Sequence, residues 1–224
     1  MDYNAVVIGA GPAGLMAADE LARAGHSVLV VEAKPSVARK LLMAGKAGLN
    51  LTKDEPFAQL ILNYGKAADW LTPMIKDFDA QAVQDWARGL GIDLFTGSSG
   101  RVFPKVMKAS PLVRAWLGQL GDLGVERRTS WSWRGWNGTD LVFNTPEGEQ
   151  TITASVTVLA LGGASWARLG SDGMWAPVLA DQGVALAPFK PANVGLVVDW
   201  SDHIATQFGA PLKGIALRAG DLFS

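Results

Sequence analysis

Three patterns of apolar and polar positions follow one another at the start of the chain. Residues 6–8 are Val, Val and Ile, and adjacent β-branched residues are typical of a strand buried on both faces of a parallel sheet. Residues 15–22 then carry apolar side chains at helical spacing, and Gly25 marks a helix end. A second strand is predicted at residues 27–32, which are apolar from Val28 to Val31. The pattern therefore predicts a βαβ unit of a parallel sheet.

Helical periodicity returns in later segments, which are residues 58–62, 70–75, 83–90 and a stretch opened by Ser110-Pro111. We expect the first three to form helices that cover the sheet. Residues 41–52 are punctuated by glycine and predict a loop, whereas residues 91–95 predict a short strand.

The pattern changes to that of short strands between residues 126 and 154. Trp131 and Trp133 alternate, Asn137-Gly138 is a strong signal for a two-residue hairpin turn, and residues 146–148 turn the chain again. These features predict a three-stranded meander. The alternating tryptophans could stack on a base or on a flavin ring, but we favour cross-strand packing, which is typical of aromatic residues at period two in a hairpin.

A further apolar run at residues 156–161 ends in Gly162 and Gly163. It predicts another central parallel strand, whose carboxyl end comes close to a ligand or to another backbone. Beyond a proline-rich junction at residues 188–191, strand-like runs at residues 194–198 and 214–218 predict entry into a mostly β second domain.

Candidate chemistry comes from three glycines between the first strand and the first helix. The spacing of Gly9, Gly11 and Gly14 matches the dinucleotide-binding fingerprint, in which the first glycine permits a tight turn. The second lets a pyrophosphate approach the backbone, and the third lets the helix pack closely on the strand. Pro12 suits the first helical turn. Glu32 lies 18 positions after Gly14 (32 − 14 = 18), close to the separation of about 20 residues at which an acid binds a ribose hydroxyl.

Composition narrows the possible chemistry further. The chain has 224 residues, and 49% of them are hydrophobic. Because its formal net charge is −1, no long-range electrostatic field would attract nucleic acid or an anionic membrane. It has no cysteine, which excludes thiolate nucleophiles and cysteine-ligated metals, and its two histidines are not clustered. No apolar segment approaches the roughly 20 residues that span a bilayer. We therefore expect a soluble, cytoplasmic protein without a metal site.

Several motifs together resemble those of the BaiN-like (YhiN-type) NAD(P)/FAD-dependent oxidoreductases, flavoproteins of the two-dinucleotide-binding superfamily. They are residues 38–46 with Asn50 and Thr52, residues 100–105, and residues 160–165 with residues 170–173. The resemblance extends from the start of the chain to about Arg218. The chain departs from the family where many members carry an Arg-Cys pair, because it has Gly48 and Leu49 there.

The resemblance implies an α/β fold in which residues 1–187 form a Rossmann-like FAD-binding domain. This domain has a parallel sheet, covering helices and the meander, and it is completed by a returning C-terminal segment. Residues 188–224 would begin an inserted, mostly β domain on the substrate side. We expect a fragment or a naturally short form of such a protein, in which FAD could be weakly bound or missing.

The implied function is FAD-dependent transfer of hydride or electrons between NAD(P)H and a small organic substrate. An NAD-dependent dehydrogenase and a shortened, non-catalytic dinucleotide-binding module are the alternatives. The candidate cofactor contacts are Gly9, Gly11, Pro12, Ala13, Gly14, Glu32, Ala33, Lys40, Gly45, Asn50, Thr52, Gly162 and Gly163. No catalytic residue is assigned; Lys46, Tyr64 and Lys105 are chemically possible proton donors.

Overall fold

The computed structural model describes residues 2–46, 48–191, 197–209, 216, 218–219 and 222–223. The chain divides into two compact units, residues 1–187 and residues 188–224. In the second unit, the described part contains a 3-10 helix, Asp202–Gln207, and an antiparallel pair of two-residue strands. The predicted strands at 194–198 and 214–218 lie largely outside the described residues, while Val197 and Val198 have no regular secondary structure.

A six-stranded sheet organises the first unit, in the order β6-β2-β1-β9-β8-β7. Its strands are β1 (Asp2–Ile8), β2 (Val28–Glu32), β6 (Glu126–Thr129), β7 (Ser132–Asn137), β8 (Asp140–Thr145) and β9 (Gly148–Leu159). Strands β6, β2, β1 and β9 pair in parallel, whereas β9, β8 and β7 form an antiparallel meander. The predicted α/β class with a parallel sheet and a meander is confirmed.

Two details of the strand prediction are wrong. The third strand of the meander and the central parallel strand are one continuous strand, β9, which pairs with β8 through Ile152 and with β1 through Leu159. The sequence from Thr151 to Leu159 contains no glycine or proline that would divide it. The segment Glu126–Thr129 belongs to the parallel sheet, where it is the outer partner of β2. Its polar residues suit this edge position. Because it has no apolar run, the hydrophobic pattern does not predict it as a strand of the parallel sheet.

Helices cover one face of the sheet and the meander packs on the other. On the first face, α1 (Pro12–Arg23) and α6 (Ala109–Asp122) contribute Leu15, Ala18, Val113, Trp116 and Leu120 to a core with Ala5, Val7, Val28 and Val30. On the second face, Trp133, Leu141, Phe143 and Ile152 pack on Val6, Ile8, Leu29 and Val31. Buried Asp19 of α1 accepts hydrogen bonds from Gln119 of α6 at 3.0 and 3.2 Å, which ties the two helices together.

The segment between β2 and α6 differs in part from its prediction. The predicted loop at residues 41–52 contains the end of α2 (Arg39–Ala44), and a small antiparallel sheet, β3-β5-β4, follows. Its strands are β3 (Thr52–Lys53), β4 (Leu94–Thr96) and β5 (Arg101–Pro104). Helices α3 (Phe57–Leu60), α4 (Ala68–Asp77) and the 3-10 helix Ile61–Ala67 between them have no buried residue, so they do not cover the large sheet as predicted.

Two helices remain in the first unit. The helix α5 (Ala80–Gly89) buries Ala80, Gln84 and Ala87, with Ala87 packed in a cluster that includes Ala109 and Leu112 of α6. The short helix α7 (Ala176–Ala180) follows β9. Among the described residues, no helix combines the length and the hydrophobicity needed to cross a membrane.

Candidate dinucleotide-binding site

The turn between β1 and α1 is shaped by the absence of three side chains. Gly9 has a φ of +108°, and a Cβ there would clash with the carbonyl oxygen of Ala160 at the end of β9. A Cβ at Gly14 would clash with the carbonyl oxygen of Gly9. At Gly11, by contrast, a Cβ would have no atom of the described residues within 4 Å. Two of the glycines are therefore needed for close backbone packing, whereas the third borders open space.

Hydrogen bonds connect this turn to the carboxyl end of β2. The N–H of Gly9 donates to the carbonyl of Val31 at 2.7 Å. The Glu32 carboxylate accepts from the N–H of Ala10 at 3.0 Å through Oε2 and from the N–H of Lys34 at 2.9 Å through Oε1. Glu32 thus braces two segments of backbone, a role that its spacing from the glycines did not predict.

A cavity of about 570 Å³ opens at the carboxyl ends of β1, β2 and β9. Of the sequence-predicted site residues, it is lined by Gly9, Gly11, Pro12, Ala13, Glu32, Ala33, Lys40 and Gly162. A ligand crevice is expected at this edge of an open α/β sheet. The cavity volume falls within the range of about 300–1,000 Å³ usual for small-molecule sites.

Five predicted contacts do not line the cavity, and their cofactor role stays a prediction. Gly14 lies behind the turn, where it allows α1 to pack closely. A Cβ at Gly45 would lie 2.5 Å from the Cβ of Ala109, so this glycine serves the packing of α2 on α6. Asn50, Thr52 and Gly163 also lie outside the residues that line the cavity.

The cavity is also lined by residues that were not predicted from the sequence. They are Arg39, Trp131, Leu169, Gly170, Ser171 and Trp175, with apolar residues of the strand ends. Gly170 and Ser171 belong to the motif at residues 170–173, on which the family resemblance partly rests. That motif was the sequence feature that could have predicted their place at the cavity. For Trp131, the alternation with Trp133 left stacking on a base or a flavin ring as the alternative to the favoured cross-strand packing, whereas no sequence pattern pointed to Trp175. Trp133 and Trp136 do pack edge to face, with centroids 4.7 Å apart.

Two side-chain hydrogen bonds hold the segment after β9 at the cavity. Lys40 donates from Nζ to Oγ of Ser171 at 2.8 Å, and Ser171 is only 3% exposed. Trp175 donates from Nε1 to the carbonyl oxygen of Gly162 at 3.1 Å. Gly162 has a φ of +72°, and a Cβ there would clash with Oγ of Ser171. Residues far apart in the sequence are thereby joined along one wall.

The charges around the cavity favour an anion. Lys40 and Arg39 line it together with the start of α1, whose aligned peptides place about half a positive charge there. No side chain in the described part of the chain caps α1, so its first-turn N–H groups remain available to a ligand. Nε of Arg39 is buried and has no hydrogen-bond partner among the described residues. Within the same described part, no three His, Cys, Asp or Glu residues are placed to hold a metal ion.

The three possible proton donors lie away from this cavity. Lys46, Tyr64 and Lys105 are absent from its lining. Nζ of Lys105 is 3.5 Å from the carboxylate of Asp93, in an exposed ion pair. No catalytic role follows from these positions.

The fold and the glycine turn define a Rossmann-type dinucleotide-binding domain. The chain belongs to the HI0933-like family, because the family model described as the HI0933-like protein Rossmann domain matches residues 3–218. The resemblance drawn from the sequence motifs is confirmed.

Individual relatives are oxidoreductases by name. The chain is 27% identical over 195 residues to a 3-dehydro-bile acid delta(4,6)-reductase of Clostridium scindens, covering 86% of this chain and 47% of the reductase. It is 47% identical over 55 residues to an L-glutamate oxidase precursor of Streptomyces viridosporus, covering 25% of this chain and 8% of the precursor. The chain therefore spans less than half the length of these relatives.

Among solved structures, the chain resembles the 3-ketosteroid-delta4-(5alpha)-dehydrogenase from Rhodococcus jostii RHA1. The TM-score is 0.53 with 16% sequence identity, over 72% of this chain and 46% of the dehydrogenase. This likeness concerns the fold alone.

Proposed function

We propose that the cavity holds the adenosine diphosphate part of FAD and that the protein is an FAD-dependent oxidoreductase. The observation that carries the proposal is the open space beside Gly11, at the uncapped start of α1. A Cβ would fill this space without touching any residue that the structure describes, so close packing does not explain the missing side chain. Close approach of a ligand to the backbone explains the glycine.

The groups around this space fit a diphosphate. Backbone N–H groups at a helix start bind phosphate oxygens, and the helix dipole favours negative charge. Lys40 adds a cation on the cavity wall, where its ammonium has donors beyond the one given to Ser171. Arg39 adds a second cation.

Glu32 also fits a ribose, although its carboxylate is already engaged. Each of its oxygens accepts one backbone N–H, and a carboxylate oxygen has about two acceptor positions. One position on each oxygen therefore remains for a ribose hydroxyl. The same carboxylate would repel a phosphorylated ribose, which favours FAD or NAD over NADP in this cavity.

When bound, FAD supplies the hydride or electron transfer. The residues of this chain bind and orient the cofactor, and we assign none of them to proton transfer. NAD(P)H as the electron donor, a small organic substrate and a cytoplasmic location belong to the same proposal. The names of the relatives support the substrate class, and the cysteine-free composition suits a reducing compartment.

A glycine substitution tests the proposal directly. In Gly11→Ala, the new Cβ meets no protein atom, so the fold should remain intact while the methyl group occupies ligand space. We expect FAD and ADP affinity to fall at least about tenfold, which corresponds to about 1.4 kcal/mol. Isothermal titration calorimetry on the 224-residue chain measures this, with thermal melting as the check on folding.

Gly89→Ala in α5 is the matched control, because that glycine is exposed and also has open space around it. It should bind as the wild type does. Unchanged binding by Gly11→Ala would contradict the proposal. Tighter binding of NAD⁺ than of FAD by the wild type would instead favour the NAD-dependent alternative.

A further inference from the structure

Trp131 occupies a distinct place at the carboxyl edge of the parallel sheet. It follows β6, and its N–H donates to the carbonyl oxygen of Glu32 at 3.0 Å. The preceding N–H, of Ser130, donates to the carbonyl of Lys34 at 3.1 Å. The backbone after β6 is thus attached to the end of β2, and Trp131 lines the cavity beside Glu32.

The indole is supported by its neighbours. The guanidinium of Arg128 lies over the ring, 4.8 Å from the ring centroid. Arg128 is itself held by the hydroxyl of Tyr3, to which it donates at 3.1 Å, and by Glu126 at 3.7 Å. The ring of Phe143 lies 5.7 Å from the indole, tilted by 48°. Trp131 is therefore an aromatic surface that is held by one cationic and one aromatic neighbour.

The order of the strands indicates which part of a nucleotide would contact Trp131. At the carboxyl edge, the glycine turn follows β1, Glu32 ends β2, and Trp131 follows β6, and these three strands are neighbours in that order. A nucleotide has the same linear order, since the ribose joins the phosphate to the base. Neighbouring strands lie about 4.8 Å apart, which matches the spacing of these three parts.

We propose that Trp131 is the stacking surface for the adenine of the bound nucleotide and that it gives the cavity a preference for purine nucleotides. The inference rests on the proposed function, which places the diphosphate at Gly11 and the ribose at Glu32. Stacking on an aromatic side chain depends on the area of the base, so a purine gains more than a pyrimidine.

Calorimetry with three probes on the 224-residue chain separates the parts of the nucleotide. ADP carries a purine, UDP carries a pyrimidine, and inorganic pyrophosphate carries no base. In Trp131→Leu, which keeps an apolar side chain, we expect ADP affinity to fall about tenfold. The ratio of ADP to UDP affinity should fall toward one, while pyrophosphate affinity stays as in the wild type. Trp131→Phe should recover most of the ADP affinity.

Intrinsic fluorescence gives a second readout, because a base stacked on an indole quenches its emission. ADP should quench the wild type more than Trp131→Phe. Trp70→Leu is the matched control, since Trp70 is 70% exposed and lies outside the cavity. It should keep both the quenching and the affinity of the wild type.

The outcomes distinguish this inference from the proposed function. Wild-type ADP affinity in Trp131→Leu, or an equal loss for pyrophosphate and ADP, would overturn the stacking role and leave the cofactor assignment standing. Absence of ADP binding by the wild type, or wild-type ADP binding by Gly11→Ala, would overturn the proposed function itself.

Discussion

The cavity has two walls that are built by different means. The glycine wall, as we call it, is one continuous segment, residues 9–14, in which residues 9–13 line the cavity and Gly14 lies behind the turn. The side-chain wall consists of Lys40, Trp131, Ser171 and Trp175, which come from three distant parts of the chain. In the glycine wall, Gly9 and Gly14 are fixed by contacts with the sheet and with each other. In the side-chain wall, hydrogen bonds and ring contacts between side chains hold the groups.

This difference predicts different consequences of substitution. At Gly9 and Gly14 an added Cβ would clash with backbone atoms, so a substitution there displaces backbone and destabilises the domain, whereas Gly11 borders open space. In the side-chain wall, Trp131 and Trp175 pack against the edge of the core and are only partly buried, and losing one hydrogen bond costs about 1 kcal/mol. Changes at Gly9 and Gly14 should therefore act mainly on stability, whereas changes at Gly11 and at the Lys40 cation of the side-chain wall should act mainly on affinity.

The largest effect is expected at Gly14. In Gly14→Ala, the Cβ would clash with the carbonyl of Gly9 and would lie 3.1 Å from the Cβ of Ala160. Helix α1 would have to move away from the sheet, at a cost of about 3 kcal/mol in the free energy of unfolding. Urea denaturation followed by circular dichroism measures the loss.

Gly118→Ala is the control for this substitution. Gly118 is also a helix-interior glycine, in α6, but it is exposed and has open space around it. Alanine should stabilise that helix by about 0.5–1 kcal/mol. Similar stability changes in the two variants would show that close packing at Gly14 does not distinguish the glycine wall.

A smaller effect, on affinity, is expected at Lys40. Lys40→Met removes the ammonium from the cavity wall, and pyrophosphate affinity should fall about tenfold, as for a lost hydrogen bond to a charged group. The salt dependence of binding should weaken as well, because one cation fewer faces the phosphates. Calorimetry at two ionic strengths measures both changes.

Ser171→Ala tests whether pyrophosphate affinity depends on the charge of Lys40 or on the position at which Ser171 holds it. This variant removes the hydrogen-bond partner of Lys40 and keeps the cation, so it should lose about 1 kcal/mol of stability and little affinity. A greater loss of affinity in Ser171→Ala than in Lys40→Met would show that the side-chain wall acts through the position of residues 169–175.

The two walls also differ in how far the sequence predicts them. Every feature of the glycine wall is local: an apolar run, three glycines and a helix start stand within ten residues, and the turn has the predicted form. The side-chain wall depends on which strands become neighbours. Trp131 reaches the cavity because β6 pairs with β2, about 100 residues earlier in the chain. No short-range pattern encodes that pairing.

The role of Glu32 was only partly predictable for a related reason. Its spacing from Gly14 predicts that it lies at the end of β2, and the structure places it there. Its bonds to Ala10 and Lys34 depend on how the two turns approach each other. The sequence pattern does not predict that β9 is continuous, because one half of the strand pairs with β8 and the other with β1. The two halves therefore have different polarity patterns.

The smallest expected effect concerns Tyr3, which supports the side-chain wall through Arg128. Burial raises the pKa of the Tyr3 hydroxyl above its usual value, and the hydrogen bond that it donates to Glu126 adds to the rise. A raised pKa means that the folded state keeps this proton when the unfolded state has lost it. The contribution of Tyr3 to stability is thus fully present below about pH 10 and is lost as the pH rises through the folded-state pKa.

Tyr3→Phe removes this titration, so the stability difference between wild type and variant should shrink between pH 9 and about pH 11. Urea denaturation across that interval measures it. Tyr64→Phe is the control. In that variant Tyr3 is the single tyrosine, so the absorbance of tyrosinate reports the ionisation of Tyr3 alone. ADP affinity should change little in Tyr3→Phe, because Glu126 still holds Arg128 over the ring of Trp131. A loss of ADP affinity as large as that of Trp131→Leu would show that the hydroxyl of Tyr3, rather than Glu126, keeps the aromatic surface of the side-chain wall in place.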